Sequence, residues 1–137
     1  MKNLKVGLTG LLAGVVLFVV GNLGYFATKG FYVQSNPALW KPMPMPGWLF
    51  QLFLWNLVIG ILFAMMYELV KTALPQGKLA GGLVYGLLLW LVGTTPGMIS
   101  THLTINLPTS LVLSSWLEGL VSSVLAGWTI AGVLKSR

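Results

Sequence analysis

Four apolar stretches, at about residues 5–27, 47–70, 79–98 and 108–134, leave this chain few ways to fold. Each reaches the ~20 residues at which a helix, rising about 1.5 Å per residue, crosses the ~30 Å hydrocarbon core of a bilayer. Lipid offers backbone N–H and C=O groups no partner, and a helix satisfies them within its own length. Hydrophobic residues make up 56% of the chain and charged residues 7%, a surface that no soluble domain of this size presents to water. The reading is an all-α membrane protein, one four-span domain over residues 1–137. The first stretch follows Lys2 and Lys5 like a secretion signal, but it runs on to about Gly24, longer than a usual signal core, and reads as a retained span.

The basic residues set the expected orientation. Lys2, Lys5, Lys71, Lys78, Lys135 and Arg137 fall at the two termini and the second connection, whereas only Lys29 and Lys41 fall on the other side. That bias predicts both termini in the cytoplasm and, for a bacterial protein, residence in the inner membrane. The net charge of +6 is then a topology signal and an attraction to anionic membrane lipid, not a footprint for nucleic acid, which would need the charges clustered. With no cysteine, the chain has no disulfide, thiolate metal site or cysteine nucleophile.

An internal echo links the first and third spans. Residues 10–21 align without gaps on residues 82–93, with Gly10, Gly14 and Gly21 on Gly82, Gly86 and Gly93 and six of twelve positions identical. Spans two and four match more weakly, Leu57-Val58 and Lys71 against Leu120-Val121 and Lys135. A parallel duplication of a two-helix hairpin would give this pattern, its copies related by an axis along the membrane normal. Each span also carries small residues at helical spacing, most regularly Ser115, Gly119, Ser123, Gly127 and Ala131. Helices in lipid associate through close backbone approach and hydrogen bonds, so these Gly/Ala/Ser faces predict a tight bundle.

The first connection, residues 25–48, is the long one, and its Phe31, Tyr32, Trp40 and Trp48 suit the aromatic belt at a membrane surface. Its run Lys41-Pro42-Met43-Pro44-Met45-Pro46-Gly47 predicts extended, polyproline-like backbone. The third connection, residues 94–110, is polar, and Pro96-Gly97 is expected to end or kink the third helix. Both connections lie at the outer mouth, where His102, Trp40 and Trp48 are the candidate contacts.

Glu118 is the main functional candidate. It is one of two acids in the chain and sits within an apolar span, where insertion of a carboxylate costs roughly 3 kcal/mol. Counting from the span midpoints places Asn56 of span two at a similar depth, within hydrogen-bonding reach across the bundle. Ser114, Ser115 and Ser122 share the face of Glu118 at helical spacing and turn it toward the small-residue seam. No basic residue is expected nearby, so the neutral, protonated acid is favoured unless water reaches it. Two roles follow: a carboxyl that exchanges a proton or holds a ligand, or polar glue between helices, with a partner subunit that supplies the missing base as a third. The other acid, Glu68, lies one turn from Lys71 as an interfacial ion pair.

Other chemistries find little support. His102 is the only histidine and makes no zinc site alone. Thioethers of Met43, Met45 and Met98 with His102 would suit Cu(I), but methionines two apart on an extended backbone point different ways. No partner faces His102 to hold a haem or similar pigment, so no cofactor and no metal are expected. With no second acid near Glu118, no nucleophile set in one layer and no phosphate loop, the chain reads as a non-enzyme.

Lys2-Asn3-Leu4-Lys5 before a Gly/Leu first span, the Pro/Trp-containing first connection and Trp116-Leu117-Glu118-Gly119-Leu120-Val121 in the last span resemble small bacterial four-span inner-membrane proteins. The likeness covers most of the chain and implies the fold and location, with no activity attached. Locally, Trp40 to Trp48 with its prolines before a span resembles the tryptophan-rich sensory (translocator) proteins, which bind porphyrins and sterol-like ligands. That family has five spans and a Trp-x-Pro-Pro segment; here the spans are four and the prolines alternate with methionine. The expected function is non-enzymatic binding or translocation of a proton or small ligand around Glu118. The alternative is an accessory subunit of a larger membrane complex, and the small-residue faces left over favour self-association or other membrane subunits.

Overall fold

The computed structural model describes residues 1–40 and 46–134. Most of the proline–methionine run, with Lys41, Met43 and Met45, lies outside the described residues, as do Lys135 and Arg137. The described chain forms α1 (Lys2–Val33), a 3-10 turn (Pro37–Leu39), α2 (Trp48–Val70), α3 (Lys78–Leu89), a π turn (Trp90–Thr94), α4 (Thr95–Thr104) and α5 (Thr109–Leu134). The π turn joins α3 to α4 without a break, so four helical segments are long and apolar enough to cross a membrane. The chain is an all-α, four-span membrane protein.

Two helices run past their expected ends. Nothing between Tyr25 and Val33 breaks the helical ladder, and α1 stops only where Pro37 forces Asn36 into extended backbone (ψ 121°). Ser35 Oγ, donating to the Tyr32 carbonyl at 2.6 Å, covers one of the orphaned C-terminal acceptors. In the third span Pro96 was expected to stop or kink the helix, because it has no N–H to donate. The preceding turn widens instead. The Thr95 N–H donates to the Trp90 carbonyl, and Thr95 Oγ1 donates to the same oxygen at 3.1 Å. Pro96 then falls in the first turn of α4, directly after the widened turn that carries the helix past its missing N–H. The helix continues to Thr104, the polar connection shrinks to residues 105–108, and His102 lies on a helix rather than in a loop.

Packing is built from two hairpins, α1 with α2 and α3 with α5, joined by α1 against α5. Each hairpin crosses glycine on glycine. A Cβ on Gly60 would overlap the Gly10 carbonyl oxygen and Gly14 N, and would fall 2.7 Å from Gly14 Cα. A Cβ on Gly127 would overlap the Gly82 carbonyl oxygen and fall 2.8 Å from Gly86 N and 3.0 Å from Gly86 Cα. The same three atoms meet each glycine. The shift of 72 residues from α1 to α3, anticipated from the glycines, therefore places equivalent backbone at equivalent crossings. For the second helices the matching shift is 67, Gly60 onto Gly127, not the 63–64 suggested by Leu57-Val58 and Lys71. Leu and Val recur throughout lipid-facing surface and carry no register, whereas a glycine at a backbone crossing does.

The hairpins correspond, but their docking is unequal. α1 packs along α5, while its counterpart pair, α3 and α2, meets through large side chains. Tyr67 and Tyr85 make an edge-on contact at 5.1 Å, and Tyr85 donates its hydroxyl to the Phe63 carbonyl at 2.6 Å. Both tyrosines are buried with Ala64, Ala126, Ile130 and Ala131 in the core. Interhelical hydrogen bonds in membranes average about 0.6 kcal/mol, so Tyr85→Phe should lower stability by about that much in an SDS titration. A loss above about 2 kcal/mol would mark this bond as the main tie between α2 and α3.

At the end carrying the termini, Glu68 pairs with Lys71 at 2.9 Å, as expected, and also with Lys2 of α1 at 3.1 Å. Several other polar side chains close on their own helix. Thr9, Asn22, Thr28, Asn56 and Thr129 each donate to the carbonyl four residues back. This satisfies them in lipid without help from a neighbour and leaves association to the small residues.

Candidate functional site around Glu118

Glu118 projects from α5 onto the bare backbone of α1. A Cβ on Gly24 would fall 2.6 Å from Glu118 Cγ and 2.7 Å from Oε2, and one on Gly21 would fall 3.8 Å from Oε1. Gly24 opens a notch that only a residue without a side chain leaves free, and Gly21 lies at ordinary contact distance beside it. The carboxyl is half-buried there, and among the described residues it forms no hydrogen bond or ion pair. Lys29 of α1 is exposed and does not pair with it.

Asn56 is not its neighbour. The Asn56 carbonyl oxygen lies 2.6 Å from a Cβ on Gly14, while Glu118 lies at Gly21 and Gly24. Gly14 and Gly24 are ten residues apart on one helix, which puts the two side chains at depths about 15 Å apart. Asn56 Nδ2 donates instead to the Leu52 carbonyl at 2.8 Å. The estimate from midpoints fails because it assumes helices centred on one plane. α1 and α5 extend beyond the start of α2, so in the register of the repeat Glu118 corresponds to Gln51, and Asn56 to Ser123.

The serines divide. Ser114 Oγ donates to the Leu111 carbonyl at 2.9 Å, so it serves its own helix. Ser115, one turn from Glu118 toward the end opposite the termini, lies within hydrogen-bonding reach of the Tyr32 hydroxyl of α1. Ser122 lies one turn toward the end carrying the termini, half-buried. The structure therefore brings together Glu118, Ser115, Gly21, Gly24 and Tyr32, of which the sequence reading had singled out the first two for this site.

Beyond Ser115, at the end opposite the termini, a cleft of about 310 Å³ opens between the end of α1, the 3-10 turn, α4 and α5, lined by Tyr32, Leu39, Trp40, Met98, Leu111 and Ser115. Trp40 is placed by its indole N–H, which donates to Ser35 Oγ at 2.5 Å, and by its ring, 5.1 Å from that of Tyr32. Tyr25 continues the row at 5.2 Å from Tyr32. Trp48 opens α2 and is not part of this wall. His102 is exposed and lines a second cleft, of about 330 Å³, with Thr95, Met98, Val112 and Trp116. Among the described residues no group of three or more His, Cys, Asp or Glu could hold a metal ion.

On the other side of α5 the π turn is bolted in place. Trp116 Nε1 donates to Thr95 Oγ1 at 2.9 Å, Thr95 Oγ1 donates to the Trp90 carbonyl, and Trp90 Nε1 donates to the Trp116 carbonyl at 2.9 Å. The two indoles lie 4.5 Å apart, and Thr94 occupies the space beside Gly119. This closed circuit of hydrogen bonds holds the segment of α5 that carries Glu118. It was not anticipated, although two tryptophans inside their spans, each with an N–H to satisfy, are a signal of such a network. No protein-family model matches this chain, and comparisons with curated proteins and with solved structures find no match.

Proposed function

We propose that this protein binds or translocates a proton or a small ligand at the Glu118 carboxyl, reached from the end of the bundle opposite the termini, and that it does so without catalysing a reaction. The observation that carries this reading is the Gly24 notch: α1 leaves room for a carboxyl that no cation or donor among the described residues satisfies. An acid held only as glue would be expected to bond across the seam, as Tyr85 and Trp116 do. In the membrane of a bacterial cell, with both termini inside, the cleft would face outward.

A hydrophobic carbodiimide modifies protonated carboxyls in apolar surroundings and tests the reading directly. The expected result in membranes is a single adduct at Glu118, fading as pH rises and absent in Glu118→Gln. The reading fails if Glu118 stays unmodified at every pH while the protein is folded.

One feature favours the accessory-subunit alternative. Trp55 is 65% exposed on α2, a single residue before the Gly14 crossing at Asn56, well inside the span, whereas tryptophan facing lipid concentrates at the interfaces. A photo-crosslinker at position 55 distinguishes the cases. Lipid adducts alone would dismiss a partner at this face, while an adduct of fixed mass with another membrane protein would establish one.

A further inference from the structure

The chemistry of the outer cleft narrows what Glu118 would receive. An anion finds no partner there, since among the described residues no Lys, Arg or His lines the cleft or pairs with the carboxyl. A bare divalent metal ion wants six or more oxygen ligands for calcium, or near-octahedral oxygen for magnesium, and one carboxyl with a few hydroxyls falls short. Aromatic rings, by contrast, attract organic cations across their faces, and more strongly where water is excluded. Tyr25, Tyr32 and Trp40 form a row at 5.2 and 5.1 Å spacing that ends at the cleft, with Met98, Leu39 and Leu111 supplying apolar wall. The volume of about 310 Å³ falls at the small end of the ligand pockets found in proteins.

We propose that this cleft takes a lipophilic organic cation, an ammonium group carrying apolar substituents, whose charge is met by Glu118, one turn of α5 beyond the Ser115 and Tyr32 that close the cleft, in exchange for the carboxyl proton. The inference rests on the reading of Glu118 as an exchanging carboxyl and names its ligand class. The exchange balances: one O–H bond of the carboxyl breaks, its proton leaves to water, and the ammonium takes its place as the counter-charge. The site is neutral before and after, so no net charge is left in lipid.

The surroundings leave the titration to Glu118. From α1 the titratable groups on this stretch are the Tyr32 hydroxyl, with Tyr25 behind it, and Lys29, which is exposed and not paired with the carboxyl. The titratable groups of α2, Tyr67 and Glu68, and those of α3, Lys78 and Tyr85, lie toward the end carrying the termini. The π turn presents threonine and tryptophan, and His102 of α4 lines the other cleft. α5 itself adds only the hydroxyls of Ser114, Ser115 and Ser122.

The test is calorimetric titration of the purified full-length protein, in lipid nanodiscs, with benzyltrimethylammonium. Paired buffers of different ionisation heat count the protons. The expected result is saturable binding with about one proton released per cation and an affinity that climbs up to tenfold per pH unit while the acid is protonated. Glu118→Gln should abolish the proton release and weaken binding at least tenfold. Trp40→Ala should weaken binding severalfold while leaving carbodiimide modification of Glu118 intact, which shows that the variant is folded. Equal binding of the uncharged carbon isostere would overturn the proposal, as would equal binding by Glu118→Gln without a change in proton count. Carbodiimide modification that no cation binds against or suppresses would also overturn it while leaving the exchanging carboxyl in place; loss of that modification itself would remove both.

Discussion

Gly60→Ala should separate the first hairpin. The added methyl meets the Gly10 carbonyl oxygen and the Gly14 backbone, and backbone cannot step aside as a side chain does. Overpacking a well-fitted interface usually costs about 1–3 kcal/mol, and this position should lie at or above the top of that range. Gly127→Ala meets the corresponding atoms of Gly82 and Gly86 and should cost a similar amount. Gly7→Ala and Gly132→Ala, where a Cβ finds nothing within 4 Å, should stay within about 0.5 kcal/mol of the parent. Unfolding in mixed micelles of rising SDS fraction, followed by circular dichroism, reads all four. Similar losses at positions 60 and 7 would refute the close crossing.

Trp116→Ala should be the most damaging change outside the glycine crossings. It deletes the indole stacked on Trp90 at 4.5 Å and the N–H that holds Thr95 Oγ1. Truncating a packed tryptophan typically costs about 3–5 kcal/mol. Trp116→Phe keeps most of the ring and loses the donor, so it should cost nearer the ~0.6 kcal/mol of an average interhelical bond. The sharper readout is local. Amide exchange over residues 90–95 should accelerate in Trp116→Ala, because Thr95 would lose the partner that orients it over the Trp90 carbonyl. Unchanged exchange there, in a protein that remains folded, would show that the π turn stands without α5.

The spans were legible in the sequence because lipid imposes a length and a polarity that composition cannot disguise. Glycine spacing also revealed the first-to-third-helix register, since Gly10, Gly14, Gly82 and Gly86 sit where backbones touch. What stayed hidden depended on tertiary geometry. Pro96 is a sound helix-breaking signal in isolation, and only the Thr95 bonds to Trp90 let the helix pass it. Asn56 looked like a partner for Glu118 because linear counting ignores how far α1 and α5 overrun α2. Glu118 itself stood out as a lone acid, but the notch that receives it required knowing that Gly21 and Gly24 face α5.

The matched crossings also separate what this chain must keep from what it is free to change. The path from Gly14 to Gly60 is five residues longer than that from Gly86 to Gly127, yet the same atoms meet at both crossings. By the logarithmic cost of loop closure, the extra length is worth only about 0.1 kcal/mol. The crossing therefore tolerates extra length in the connection, and a graft placed between Trp40 and Trp48 keeps Tyr32, Leu39 and Trp40 of the cleft wall in sequence. An enzyme reporter or epitope inserted there would leave the glycine crossing undisturbed and, by its accessibility from one side of the membrane, would reveal which way the protein faces.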